Sequence, residues 1–389
     1  MINQAEEPEE LKEPEFTEDD HNENPPNDIV AYNELRSCAD LFRMYEDGIL
    51  KIDPEFQRDV VWPPSQQSRF IDSLIKQLPI PSMCVALDYK TQRWMVIDGL
   101  QRMATIIKFL KGDDWRISQL EDIDKEIAGK SAAAIKNSSG KLKSYFSRVQ
   151  NQSLPINVLR CDFSKKTHME YLFTIFHRLN AGGIKLNNQE IRNCIYGGPF
   201  NDLLSRLDKR DDWRTLNRMT NTESNYRYVK QELILRFFAF LDRQQMYKGQ
   251  VAKFLNNYMH DNRYAAPELI EEKEECFARV MAVLYGKIFP NGPESRIPTS
   301  VMEATLVGMA RHIDHLESLP DGEARARYEA LRDRAEFNEE AVSEGPELVG
   351  QPGECQARIA HYLGASALAG RTAVPGGGDA VVGQVPFPP

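Results

Sequence analysis

The chain has 389 residues, 41% of them hydrophobic, and no run of about 18 apolar residues, which excludes a helical membrane span. Its net charge of −10 sits at one end: residues 1–28 hold 11 acidic groups against Lys12 alone, and the other residues balance at 47 acidic and 47 basic. The six cysteines, Cys38, Cys84, Cys161, Cys194, Cys276 and Cys355, are isolated, which excludes a Cys-x-x-Cys zinc site and a disulfide framework and leads us to expect a reduced, cytoplasmic protein.

Residues 1–28 are rich in Pro and Asn and too poor in apolar side chains to fold. They read as a disordered, solubilising tail; the sharper alternative is a mimic of nucleic acid that screens a basic groove. Folding signals begin near Asp28. Ser37 can cap a helix with Leu41, Phe42 and Tyr45 on one face, ended by Gly48. Leu50-Lys51-Ile52 is extended, and Pro63-Pro64 stops the apolar stretch Val60-Val61-Trp62. Ser65 then caps a second helix carrying Phe70, Ile71, Leu74, Ile75 and Leu78. Met83–Leu87 and Trp94–Ile97 flank the polar turn Lys90-Thr91-Gln92 and read as a hairpin.

A helix follows from Asp98-Gly99, carries Ile106, Ile107 and Leu110, and stops at Gly112. Residues 129–153 are rich in Ser, Lys and Asn and read as a loop. Leu154–Leu159 is a strand whose Pro155 suggests an edge or a strand start. From Thr167, which with Glu170 forms a capping box, the chain turns helical. Ala181-Gly182-Gly183 ends the first of these helices and Asn187 or Asn188 caps the next. Helical periodicity continues through Leu233–Phe238 and 299–317, and from about Gly364 the composition becomes Gly- and Pro-rich without periodicity.

The segment that carries chemistry is Trp94–Thr105. A buried strand enters a turn at Gly99, and the turn opens a helix whose first N–H groups lack partners and attract an anion. Gly99 allows close approach of a phosphate, and Arg102, in the first turn, offers a forked cationic donor. Asp98 stands where it can hold a metal ion or orient a water. If the strand before Gln57-Arg58 lies beside the strand ending at Asp98, two arginines face one site, which suits a triphosphate with a divalent cation. A plain salt bridge from Asp98 to Arg58 or Arg102 fits the same spacing.

Phe56-Gln57-Arg58, Trp62, Pro79-Ile80-Pro81, Ile97–Arg102, Phe176–Gly183, Leu186 and Glu190-Ile191-Arg192-Asn193 occur in one order. This set resembles the N-terminal domain of GmrSD-type modification-dependent restriction enzymes and of the related SspE-type phage-defence proteins, over about residues 30–240 and more weakly to about 362. The resemblance implies a fold similar to ParB and sulfiredoxin, with nucleotide binding and hydrolysis. It implies that Asp98, Gln101 and Arg102 act in catalysis, with Asp98 on Mg²⁺. It further implies that Gln57, Arg58, Gly99, Arg102, Thr105, Asn180 and Gly183 hold the nucleotide. Leu100 departs from the family's motif, which has two glutamines before the arginine. Asn180–Gly183 also reads as an ordinary helix end with glycine at the left-handed cap.

In the restriction enzymes a separate module with paired histidines cuts DNA. The seven histidines here, His21, His168, His177, His260, His312, His315 and His361, form no such pattern. His177 reads as structural within its helix, and His312 with His315 lacks a third metal ligand. Residues 206–253 hold 11 basic and 6 acidic groups interleaved with Trp213, Tyr226, Tyr228, Phe237, Phe238 and Phe240. They read as a solvated helix face or, more sharply, as a DNA-facing surface.

The expectation is an α+β protein. A ParB/sulfiredoxin-like nucleotide-binding domain, with a small mixed sheet and flanking helices, spans 29–163. A mostly helical domain spans 164–363, between disordered tails at 1–28 and 364–389. The expected function is an Mg²⁺-dependent nucleoside-triphosphatase, or a nucleotide-gated subunit, of a DNA restriction or phage-defence system, with the nuclease on a separate partner chain. The alternatives are a non-enzymatic nucleotide- or DNA-binding regulatory module and a DNA-nicking nuclease of ParB-like type.

Overall fold

The computed structural model describes residues 26–52, 62–112, 114–179, 186–219, 228–320 and 322–332. The tail expected at 364–389, residues 1–25 of the one expected at 1–28, Gln57, Arg58, Asn180, Gly183 and Tyr226 lie outside the described residues; the last residue of the expected N-terminal tail, Asp28, is described, and its carboxylate meets Lys165 and His168.

The architecture is α+β: one mixed five-stranded sheet with flanking helices, then a helical remainder. The strands are β1 (Val30–Ser37), β2 (Leu50–Lys51), β3 (Met83–Asp88), β4 (Arg93–Asp98) and β5 (Ser153–Cys161), in the order β1-β5-β3-β4-β2. β1 is antiparallel to β5, and β3 to β4; β5 and β3 are parallel, as are β4 and β2. β2 therefore leaves the sheet at the same edge as the end of β4, which sets the chain entering Gln57-Arg58 next to the Asp98 strand.

Alternation along the central strands divides the interior. Val85, Leu87, Trp94 and Val96 face one core, shared with the helices Cys38–Glu46, Pro64–Ile75, Leu100–Lys111 and Gly140–Asn151. Ala86, Met95 and Ile97 face the other, which runs without interruption into the helices after β5. A strand covered on both faces reads as an unbroken apolar run, as Met83–Leu87 does. Among the described residues every element after β5 is helical, and no helix is long and apolar enough to cross a membrane.

The ends of the helices follow local chemistry. Ser37 caps Cys38–Glu46 by accepting the Asp40 N–H at 3.1 Å. Asn187 and Glu190 form a reciprocal capping box on Asn188–Ile195, with N···O distances of 2.8 and 2.6 Å. Three expectations are corrected. Ser65 does not cap the second helix but lies inside it, because Pro64 opens the helix at the first position, where its missing N–H costs nothing. The helix expected to be capped at Thr167 begins at Lys166. Residues 129–153 are not a loop but hold the helices Ala132–Lys136 and Gly140–Asn151. Their lysines and serines hide the apolar set Leu142, Tyr145, Phe146 and Val149, which packs on the core at helical spacing. Of the two readings of Pro155, the strand start holds: it lies near the start of β5, just before pairing with β3 begins at Ile156, and β5 is not an edge strand.

Candidate functional site

The register between β3 and β4 slips by one residue at Cys84/Val85: Val85 faces Val96, but Cys84 faces Asp98, leaving Ile97 without a partner opposite. A bulge of this kind re-aims the side chains beside it. Here it turns the last residue of β4 just before the chain leaves the sheet. Gly99 follows in the left-handed conformation, with φ +93°, and the helix Leu100–Lys111 starts at once.

Gly99 is required on two counts. A side chain at this φ is strained, and a Cβ there would lie 2.5 Å from Cγ of Met83. The space that its missing side chain leaves is thus filled by Met83. Gly99→Ala should lower stability by about 2 kcal/mol, combining left-handed strain with a displaced buried methionine. Urea denaturation monitored by circular dichroism measures this, and an unchanged midpoint would show that Met83 yields freely.

No side chain caps this helix and its first turn carries no acid; the first internal bond closes from the Met103 N–H to the Gly99 carbonyl at 2.9 Å. The amides of Leu100, Gln101 and Arg102 are left to the turn's exterior, at the positive end of the helix dipole. Arg102 is mostly buried. Its Nη1 donates to the Pro81 carbonyl at 2.6 Å and its Nη2 to Asp98 Oδ2 at 2.8 Å. One guanidinium therefore ties the Pro79–Pro81 segment to the end of β4. The plain salt bridge allowed by the sequence spacing is present, and it orients Asp98. That carboxylate is 38% exposed, and its Oδ1 has no partner among the described residues. Its negative charge, with burial, pushes the Cys84 thiol up to about 11; burial is the larger cause.

Gln101 is half-buried and its Oε1 lies 3.4 Å from the Trp62 amide, so the chain re-enters the described structure beside the turn. Trp62, which follows the Gln57-Arg58 segment, thus stands beside the turn, and Ile52, which precedes it, is buried in the core shared with the helix Leu100–Lys111. Thr105 is buried and donates to the Gln101 carbonyl at 2.7 Å, one turn back, which commits its hydroxyl to the helix itself. The Pro81 carbonyl and the Cys84 neighbour were not singled out from the sequence. The repeated proline in Pro79-Ile80-Pro81 was the available signal for the first, and only the bulge reveals the second.

The stretch Glu190–Asn193 builds a buried polar cluster. Arg192, with no exposed surface, donates to Asn256 at 2.8 Å, Glu232 at 3.0 Å and Gln189 at 3.4 Å. Asn193 donates to Gln231 at 2.6 Å, and Gln231 to Ser205 at 3.0 Å. Trp213, Phe237, Phe238 and Phe240 are core residues, so the aromatic part of 206–253 faces inward. His315 Nε2 meets Arg327 at 3.1 Å, and among the described residues no group of three or more His, Cys, Asp or Glu side chains is placed to hold a metal ion.

Residues 38–197 match the family model described as the GmrSD restriction endonuclease N-terminal domain. No curated protein and no solved structure matches the chain.

Proposed function

From residues 38–197 as a domain of the GmrSD N-terminal family, we propose that the chain is the nucleotide-handling part of a DNA restriction or phage-defence system. In this reading the turn at Asp98–Arg102 binds the phosphates of a nucleoside triphosphate. The observation that carries it is the Asp98 carboxylate, held on one oxygen by Arg102 and without a partner among the described residues on the other, at the mouth of a helix N-terminus that no side chain caps. An anion there meets the amides of Leu100 and Gln101 and the helix dipole. The Arg102 guanidinium, fixed by Pro81 and Asp98, supplies charge that need not be reorganised on binding.

Mg²⁺ fits this donor set, because it is commonly held by one or two carboxylates together with phosphate oxygens and water. Asp98 Oδ1 would be the protein's contribution; the ion would neutralise phosphate charge and orient the attacking water. Gln101, with its amide beside the turn, is the polar side chain placed to contact that water or the terminal phosphate. Arg58 would add a second cation from the segment that leaves β2. Cutting of DNA is assigned to a partner nuclease chain, gated by the nucleotide state of this one.

Arg102→Ala tests the phosphate site. Loss of a charge-assisted contact should weaken nucleoside-triphosphate binding by about 2–3 kcal/mol, or roughly 30- to 150-fold. Titration calorimetry measures it, and equal affinity in the folded variant would remove the turn from consideration. Multiple-turnover phosphate release separates a hydrolase from a module that only binds.

A further inference from the structure

A run of hydrogen bonds leads away from the Asp98 turn between the helices Pro64–Ile75 and Leu100–Lys111. The Trp62 N–H donates to Gln101 Oε1 at 3.4 Å, and the Trp62 carbonyl accepts from Gln67 Nε2 at 2.8 Å. Gln67 Oε1 in turn accepts from Lys108 Nζ at 3.3 Å. Gln67 is buried in the first of these helices. Gln101 and Lys108 lie about two turns apart on one side of the second, where side chains lean towards the helix start. The Lys108 ammonium has no carboxylate partner among the described residues, and burial lowers its pKa from the ordinary lysine value. It is held instead by Gln67 and by the Trp115 ring, whose centre is 5.5 Å away.

The groups at the ends of this run fix every orientation within it. An ammonium only donates, so the Gln67 atom that faces Lys108 is oxygen, and its nitrogen faces the Trp62 carbonyl, which only accepts. A backbone N–H only donates, so the Gln101 atom that faces Trp62 is also oxygen. The NH₂ group of Gln101 therefore points away from Trp62. We infer that Gln101 meets the nucleotide as a hydrogen-bond donor to a phosphate oxygen, and that Gln67 and Lys108 are positioning residues that hold it in that role. This rests on the phosphate reading of the Asp98 turn and narrows it. A water that attacks phosphorus needs an acceptor for its proton, and the acceptor atom of Gln101 is turned towards Trp62.

Titration calorimetry of the full chain with ATP, GTP, CTP and UTP in turn, Mg²⁺ present, tests the inference. For a nucleotide that the wild type binds, Gln101→Met should weaken affinity by about tenfold or more, the usual worth of a hydrogen bond to a charged group. Gln101→Glu keeps the shape and still accepts from Trp62, but its carboxylate cannot donate, so it should bind no better than Gln101→Met. Gln67→Met should lose part of the same factor, and adding it to Gln101→Met should lose nothing more, because both act through one bond. An effect through stability would instead add in the double variant and lower its melt. Lys108→Met, at the partly exposed end of the run, gives the same comparison should Gln67→Met fail to fold. Wild-type affinity in a folded Gln101→Met or Gln101→Glu protein, or additive losses in the double variant, would overturn the inference and leave the Arg102 phosphate site standing. A wild type that binds none of the four nucleotides would overturn both.

Discussion

Arg192→Met should destabilise the fold by about 3 kcal/mol, a shift of some 150-fold in the folding equilibrium. Removing one member of a buried ion pair typically costs about 3–5 kcal/mol, because the groups left behind have been taken out of water with no partner. Here Asn256, Gln189 and part of Glu232 are left behind. The lower end of the range applies, since Glu232 keeps its second cation, Arg236, at 2.7 Å. Arg206, which is half exposed and pairs with Glu274 at 2.8 Å, provides the control: its replacement by alanine should leave the melt essentially where it was, as surface pairs do. Urea denaturation of the three proteins decides the matter, and a Met variant within about 0.5 kcal/mol of wild type would mean that the cluster relaxes or takes up water. The expectation bears on function. A substitution within Glu190–Asn193 that abolishes activity should do so through the folded fraction, whereas one in the Asp98 turn should not.

The difference between these two motifs was only half legible in the sequence. Around Asp98 the local code is strong. Two apolar runs flank a polar turn, and glycines bracket the helix Leu100–Lys111 at both ends, each in the left-handed conformation. Such features depend on neighbours in sequence, so the hairpin, the turn and the helix could be read directly. The clamp from Arg102 to Pro81 crosses 21 residues, and Arg192 reaches 64 residues to Asn256; neither distance leaves a local trace. For the same reason Gly99 was assigned to close approach by a phosphate, while the atom that needs its empty Cβ position is in Met83.

Composition misled where it ran against periodicity. The helix Gly140–Asn151 is polar on average yet buries Tyr145, Phe146 and Val149 on one face. β1 was missed because it lies at the sheet's edge, so that neither of its faces needs to be consistently apolar. The sharper of the two readings of 206–253 made its aromatics available to DNA, but Phe237, Phe238 and Phe240 are locked in the core against Phe277, Phe200 and Phe254.

Asp98→Asn should reduce phosphate release by about two orders of magnitude or more, the usual value of a positioned metal ligand or acid–base group. The substitution keeps size and shape and still offers Arg102 an oxygen to accept its hydrogen bond, but it removes the charge that would hold a cation. Metal-free nucleotide binding should persist, because the amides of Leu100 and Gln101 and the Arg102 guanidinium are untouched. A purely structural role predicts something else, and magnitudes separate the two. Asp98 is more than one-third exposed, so its pair with Arg102 contributes no more than about 1 kcal/mol after solvent screening. Taken from a typical stability of about 5–15 kcal/mol, that loss leaves the protein almost entirely folded. Unfolding therefore cannot produce a hundredfold fall in rate. Phosphate release and thermal melting on one preparation of the variant give the answer: a large rate loss with an intact melt supports Asp98 as the catalytic carboxylate. Wild-type turnover in a well-folded Asp98→Asn protein would strip it of that role and leave the turn as a phosphate-binding element alone.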